Sequence, residues 1–350
     1  MKLESPKSSF NINVIWRWVP GFLLSFIAIF ALIKFVPVDQ AIELLKNTSF
    51  FYYLLAALFT LLFLFVRTLG WRALLSFRPT YKNTFMKLCM GYFINNIFPF
   101  RLGEISRAVF MGASLKVNPG HILSSIFIER VFDLIILAFF LLIMLPYVVG
   151  MAWIKTTAWF ILGMMVIGLF VLFFVIRNSR PFENFLSRIG KKSNLLAKLI
   201  VPFFLSLLEG FKTLKKPKQF AAGFFGVFAS WLVSFVQFSL FLFLLTGTSE
   251  WWWGAFANTT LALGIALPSA PAGLGIYESS IVAGLKLFNI DESIALAFAL
   301  ILHVSQFVLI GILGIYALSR DGYSLKNLFS QLVQFKGQLK DEQKSGVMHD

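Results

Sequence analysis

The stretch YFINNIFPFRLGEISRAVF, residues 92–110, sets Asn95, Asn96, Arg101, Glu104 and Arg107 inside a chain that is mostly oily. Arg101, Glu104 and Arg107 are spaced three apart, so a helix starting after Pro99 and running through Gly103 carries them on one stripe. Guanidinium groups arranged this way offer forks for phosphate. The carboxylate between them balances charge, or takes a cation or a proton. Downstream, IFIERVFDL supplies Glu129, Arg130 and Asp133, with Glu129 and Asp133 one turn apart. A distant segment adds Glu278, and LILHVSQF adds His303 and Gln306. The charged groups Arg101, Glu104, Arg107, Glu129, Arg130, Asp133 and Glu278 form a nearly balanced set, three positive and four negative.

A charge at the centre of a membrane helix costs roughly 2.5–3.5 kcal/mol on insertion scales. Seven such groups must therefore pair, meet water, or both. Two readings follow. One is a salt-bridge cluster that only pins short membrane segments. The other is a polar cavity in which Arg101 and Arg107 contact the phosphate of a headgroup, balanced by Glu104, Glu129, Asp133 and Glu278, while Arg130 holds the neighbouring acids. His303 and Gln306 are either contacts for a proton or headgroup, or an interhelical hydrogen bond.

Other chemistries find little support. Cys89 is the only cysteine, and no compact His/Asp/Glu spacing suggests a metal, so no metal and no cofactor are expected. Nucleophile-elbow and phosphate-loop motifs are missing, which argues against an enzyme. The net charge of +15 would suggest nucleic acid in a soluble protein. Here the basic residues sit between apolar runs, where they orient the chain in the membrane instead.

The elements that must position these groups are membrane helices. The chain has 350 residues, 58% hydrophobic and 13% charged, with 43 phenylalanines. Soluble domains average about a quarter charged, so this surface must be solvated by lipid. Runs of the roughly 20 residues a bilayer requires occur near 18–37, 50–67, 131–149, 158–176, 222–245 and 294–318. No cleavable signal is evident.

Basic segments at the N-terminus, 67–87, 177–218 and 320–344 belong on the cytoplasmic side. Both termini then lie inside, in a cytoplasmic N-terminus (1–17) and a polar tail (319–350). The intervening membrane region divides into repeats at 18–149 and 150–318. Residues 84–130 and 252–293 are left over, and each must enter and leave on one side as a re-entrant helical pair. The segment 195–214, within the basic region 177–219, is expected to lie at the cytoplasmic interface. EWWWG at 250–254 marks an interfacial aromatic belt.

The two leftover stretches echo one another. Pro99, Leu102, Gly103 and Glu104 in PFRLGE resemble Pro271, Leu274, Gly275 and Glu278 in PAGLGIYE, and Gly273 lies between. A shift of 172 residues also lays the flanking spans over each other. Halves starting on opposite sides form an inverted-topology repeat. Proline and glycine break a helix at each place, and such breaks in the membrane line a cavity. The expected fold is an all-α polytopic membrane protein of two inverted halves, with six full spans and two re-entrant hairpins.

NNIFPFRLGEISRA, IFIERVFDL and PSAPAGLGIYE together resemble the membrane region of the lysylphosphatidylglycerol synthase family, also called flippase-like, from about residue 18 to 318. The resemblance implies movement of lipids between leaflets, notably aminoacylated phosphatidylglycerol, and for some relatives a link to polyprenyl-phosphate sugar carriers and partner glycosyltransferases. It carries over to Asn96, Pro99, Arg101, Gly103, Glu104, Arg107, Glu129, Arg130, Asp133, Pro271, Gly273, Gly275 and Glu278. The soluble aminoacyl-transfer domain of the synthases has no counterpart expected in this chain. The expectation is a translocase in the cytoplasmic membrane for a lipid with an anionic phosphate headgroup. The alternatives are a scaffold for a synthase or glycosyltransferase and an ion-coupled small-solute transporter.

Overall fold

The computed structural model describes residues 12–98, 102–149, 217–267 and 269–322, with isolated positions between 156 and 167. Their secondary structure is helical, interrupted by turns and breaks. The helices are α1 (Ile12–Phe35), α2 (Val38–Asn47), α3 (Phe50–Leu74), α4 (Tyr81–Ile97), α5 (Leu102–Leu115) and α6 (Pro119–Val149). They are followed by α7 (Pro217–Thr246), α8 (Trp251–Gly264), a 3-10 turn (Pro271–Gly273), α9 (Ile276–Lys286) and α10 (Glu292–Arg320). Apart from those isolated positions, the expected span at 158–176, the basic segment 177–219 up to Lys216 with its helix at 195–214, and the tail from Tyr323 onward lie outside the described residues. So do Pro99 and Arg101.

Four described helices, α3, α6, α7 and α10, are long and apolar enough to cross a membrane. A fifth span arises if α1 and α2 count as one, although they meet at 87°. Hydropathy had read 38–49 as a connecting loop. It is instead an amphipathic helix that starts after Pro37, whose ring removes a donor and stops α1. Two further boundaries move. Glu129 and Arg130 lie mid-helix, because α6 runs from Pro119 through the expected start at 131. Likewise α3 continues seven residues past 67, to Leu74.

Local signals explain the ends. Ser49, Thr80 and Asp291 cap α3, α4 and α10, each side-chain oxygen accepting a backbone N–H of the first turn. Pro119 and Pro217 occupy first helical positions, where a missing N–H costs nothing. Phenylalanines and leucines cover the outer faces, including Phe26, Phe30, Phe50 and Phe225, all more than half exposed, as lipid contact requires.

The interior has two apolar cores. One joins α3, α4, α5, α6 and the end of α10 around Trp71, Leu88, Met90, Met111 and Ile126. The other joins α2, α3, α7, α8, α9 and α10 around Ala56, Phe241, Ile281, Leu285 and Phe298. Helices α3 and α7 touch backbone to backbone. A Cβ added to Gly226 would come within 2.5 Å of the Gly70 Cα, so only glycine permits this approach.

Candidate functional site

The most buried charges meet where α3, α5 and α6 converge. Glu129 on α6 is fully buried and sits among three arginines. Its Oε1 accepts from Arg67 Nε at 2.7 Å, and its Oε2 from Arg107 Nη2 at 2.6 Å. Arg130 Nη2 approaches Oε1 at 3.4 Å. One turn on, Asp133 receives both terminal nitrogens of Arg67, at 2.6 and 2.5 Å, and the Trp231 indole N–H of α7 at 2.9 Å. Arg130 Nη1 closes the ring 3.1 Å from Asp133. Arg107 also lies flat over Trp71, 3.9 Å from the ring centre, and that indole is held by Ser125.

The arrangement is electrically closed. Arg67, Arg107 and Arg130 face Glu104, Glu129 and Asp133, three charges of each sign. Arg67 and Arg107 are 2% and 3% exposed, with their forks committed to carboxylates. Arg130 differs. Its side chain is one-third exposed, whereas its buried Nε, like that of Arg107, has no hydrogen-bond partner. Glu104 Oε1 stands 3.8 Å from that nitrogen, too far to bond it. Of the three arginines, this is the one with an exposed face.

Arg130 lies on the wall of a cavity of about 460 Å³. The same wall carries Tyr92, Asn95 and Asn96 of α4, Glu104 of α5, Ser269, Ala272 and Gly273 between α8 and α9, Tyr277 of α9, and His303 and Gln306 of α10. A neighbouring cavity of about 200 Å³ shares Tyr92, Arg130, Tyr277 and Gln306, and adds Arg67, Asp133, Trp231, Ser234, Gln237 and Asn258. Residues flanking the first break and residues of the second therefore face one polar space, whose remaining walls are aromatic and aliphatic. Phe22 and Phe307, both nearly half exposed, stand at its edge toward the lipid-facing surface.

Each break is held by one glycine N–H. At the first, Gly103 N donates to Asn95 Oδ1 at 2.7 Å, and a Cβ on Gly103 would overlap the Gly91 carbonyl. At the second, Gly275 N donates to Glu278 Oε2 at 2.8 Å. Gly275 has φ +81°, and Ser25 of α1 packs against it. The second break also holds Ala272 at φ +59° and Gly273 at φ +76°. The Ala270 N–H donates to Ser25 Oγ at 2.9 Å, fixing α1 to this loop.

Among the expected site residues, Asn95, Asn96, Glu104, Arg130, His303 and Gln306 share the larger cavity. Arg107 and Glu129 lie behind it in the charge cluster, and Asp133 borders the smaller cavity. Glu278 does not line either space. It stands behind His303, with Oε1 2.6 Å from His303 Nδ1. Arg67 was missed because the sequence reading ended its span there. An arginine followed by one further turn of Thr-Leu-Gly-Trp was the available signal. Trp231, Gln237 and Asn258 were missed as single polar groups in apolar runs.

Comparison with known proteins agrees in extent with this fold. The family model described as the lysylphosphatidylglycerol synthase TM region matches residues 18–314. A UPF0104 membrane protein of Methanocaldococcus jannaschii is 26% identical over 311 residues, covering 85% of this chain and 92% of its own. Another from the same organism is 29% identical over 242 residues, covering 65% of this chain and 95% of its own. No solved structure matches the chain.

Proposed function

Because the chain belongs to the lysylphosphatidylglycerol synthase membrane-region family, we propose that it translocates a lipid with a phosphate headgroup between leaflets and is not an enzyme. The headgroup occupies the cavity between the two breaks, and its acyl or polyprenyl tail stays in lipid past Phe22 and Phe307. Arg130 binds the phosphate through the exposed part of its guanidinium, with Asn95, Asn96 and Gln306 as further donors. Arg67 and Arg107 do not contact the lipid. They hold Glu129 and Asp133, which in turn aim Arg130. The observation that carries this reading is a one-third-exposed arginine on the wall of a polar cavity deep in an apolar helical protein.

We further propose that the molecule consists of two inverted halves. The shift of 172 residues maps α3 onto α7, α4 onto α8, α5 onto α9 and α6 onto α10, within a few residues at each end. It also maps Gly103 onto Gly275, the two glycines whose N–H groups are captured at the breaks. That correspondence supports an inverted repeat of six spans, with both termini in the cytoplasm and the protein in the cytoplasmic membrane. A partner synthase or glycosyltransferase would supply or consume the lipid on one face.

Reconstitution in vesicles with labelled lipids tests the function. Wild type exchanges an anionic phospholipid or polyprenyl phosphate between leaflets, and Arg130→Gln slows that exchange at least tenfold. Equal exchange by both proteins overturns the site. Absence of exchange by the wild type, with tight co-purification of a lipid-modifying enzyme, favours the scaffold.

A further inference from the structure

The contacts of His303 need more protons than a neutral imidazole carries. Its Nε2 lies 3.1 Å from the Ala272 carbonyl oxygen, which only accepts, so Nε2 bears a proton. Its Nδ1 lies 2.6 Å from Glu278 Oε1, and that contact requires a second proton, on the ring or on the carboxyl. The other oxygen of Glu278 is already the acceptor for Gly275 N–H. A neutral ring facing an ionised carboxylate supplies one proton for these two contacts. The full set of three bonds therefore exists only when the pair has taken up one more.

We propose that Glu278 and His303 form a binding site for an exchangeable proton, and that this proton latches the second helix break. With the proton bound, His303 holds Ala272 and Glu278 holds Gly275, so both ends of the left-handed turn are clamped. Loss of the proton sets a ring lone pair against either the carboxylate or the carbonyl, and one clamp opens. The turn is then free to relax, because Ala272, Gly273 and Gly275 all occupy positive φ.

The surroundings suit a proton rather than a metal or a headgroup. The pair is only 5–7% exposed, yet the ring edge of His303 reaches the cavity wall, which provides the exchange path. Tyr277 stacks on the ring at 4.0 Å and 11°, offering a π face to the charged form. Among the described residues, the other titratable or charged groups on that wall are Tyr92 of α4, Glu104 of α5 and Arg130 of α6. Helix α1 contributes Gly21 and Phe22, and the break adds the hydroxyl of Ser269. Arg130 and Glu104 offset each other, so the proton on the pair is the variable charge of the cavity. Its coupling to lipid movement rests on the translocation proposed above.

The chain has three histidines, His121, His303 and His349, so ¹⁵N-histidine spectra of the whole protein in nanodiscs are simple to assign. The His303 ring nitrogens are identified by their loss in His303→Asn. A one-proton step on these signals is expected as pH rises. In Glu278→Gln an amide N–H donates to Nδ1, so the step disappears. Hydrogen exchange of the peptide covering residues 269–280, corrected for intrinsic rate, should accelerate across the same step in the wild type alone. His303 ring-nitrogen signals that stay unchanged at every pH, or a step that survives Glu278→Gln, overturn the proton site whether or not lipid moves. Unchanged exchange at 269–280 across the step overturns the latch. Absence of lipid exchange with the step intact overturns the translocation reading instead.

Discussion

At the scale of the residue, the molecule turns on Glu129. It carries no exposure and answers three guanidinium groups. Removing one partner of a buried ion pair costs about 3–5 kcal/mol, because the survivors stay buried without compensation. Glu129→Ala should therefore unfold the protein in detergent well below the wild-type midpoint, and Arg67→Ala should do likewise. Thermal unfolding followed by circular dichroism measures both. Arg130→Gln should leave the midpoint nearly unchanged, since that side chain is partly exposed and keeps only longer contacts. A loss of lipid exchange without a loss of stability then separates binding from scaffolding. Much of this was legible beforehand. The sequence singled out Glu129, Arg130 and Asp133 by spacing alone. It did not reveal Arg67 as their partner, because an arginine at the end of an apolar run reads as a membrane boundary until the helix is known to continue.

At the scale of the element, the two breaks control the geometry, and each depends on a glycine. Gly275 combines φ +81° with the Ser25 carbonyl only 2.9 Å from where a Cβ would sit. Gly275→Ala should cost about 1–3 kcal/mol of stability, the usual toll of a residue forced into a sparsely populated conformation. Gly311 on α10 is the control. No atom lies within 4 Å of its missing Cβ. Gly311→Ala should be neutral or raise stability by about 0.5–1 kcal/mol, as alanine favours a helix over glycine. Paired unfolding curves decide both. Proline and glycine announced the breaks in the sequence. The elbow between α1 and α2 was not announced so clearly, because ten residues with a single positive charge, Lys46, read as a short external loop. The first half of α6 was likewise assigned to a hairpin, since its serines and charges interrupt the apolar run that hydropathy detects.

At the scale of the whole molecule, the proposed orientation can be tested with thiol reagents. Cys89 is buried and is the one cysteine in the chain. In a Cys89→Ser background, Lys46→Cys on α2 should react with an impermeant reagent from outside the cell. Lys82→Cys at the start of α4 should react only once the cytoplasmic side is opened. Labelling of both from the same side would end the inverted arrangement. Gln306→Cys, on the wall shared by the two cavities, should react with a small hydrophilic reagent and be shielded by phosphate-bearing lipid.

The equal numbers of opposite charges at the centre have an electrical consequence. A voltage across a membrane does work of roughly 2.3 kcal/mol per elementary charge per 100 mV, and only on net charge that moves. Arg67, Arg107 and Arg130 travel with Glu104, Glu129 and Asp133, so a rocking of this cluster carries no current. This cluster should therefore contribute no transient displacement current on a voltage step. Any electrogenic signal must then come from the cargo or from the proton on Glu278 and His303.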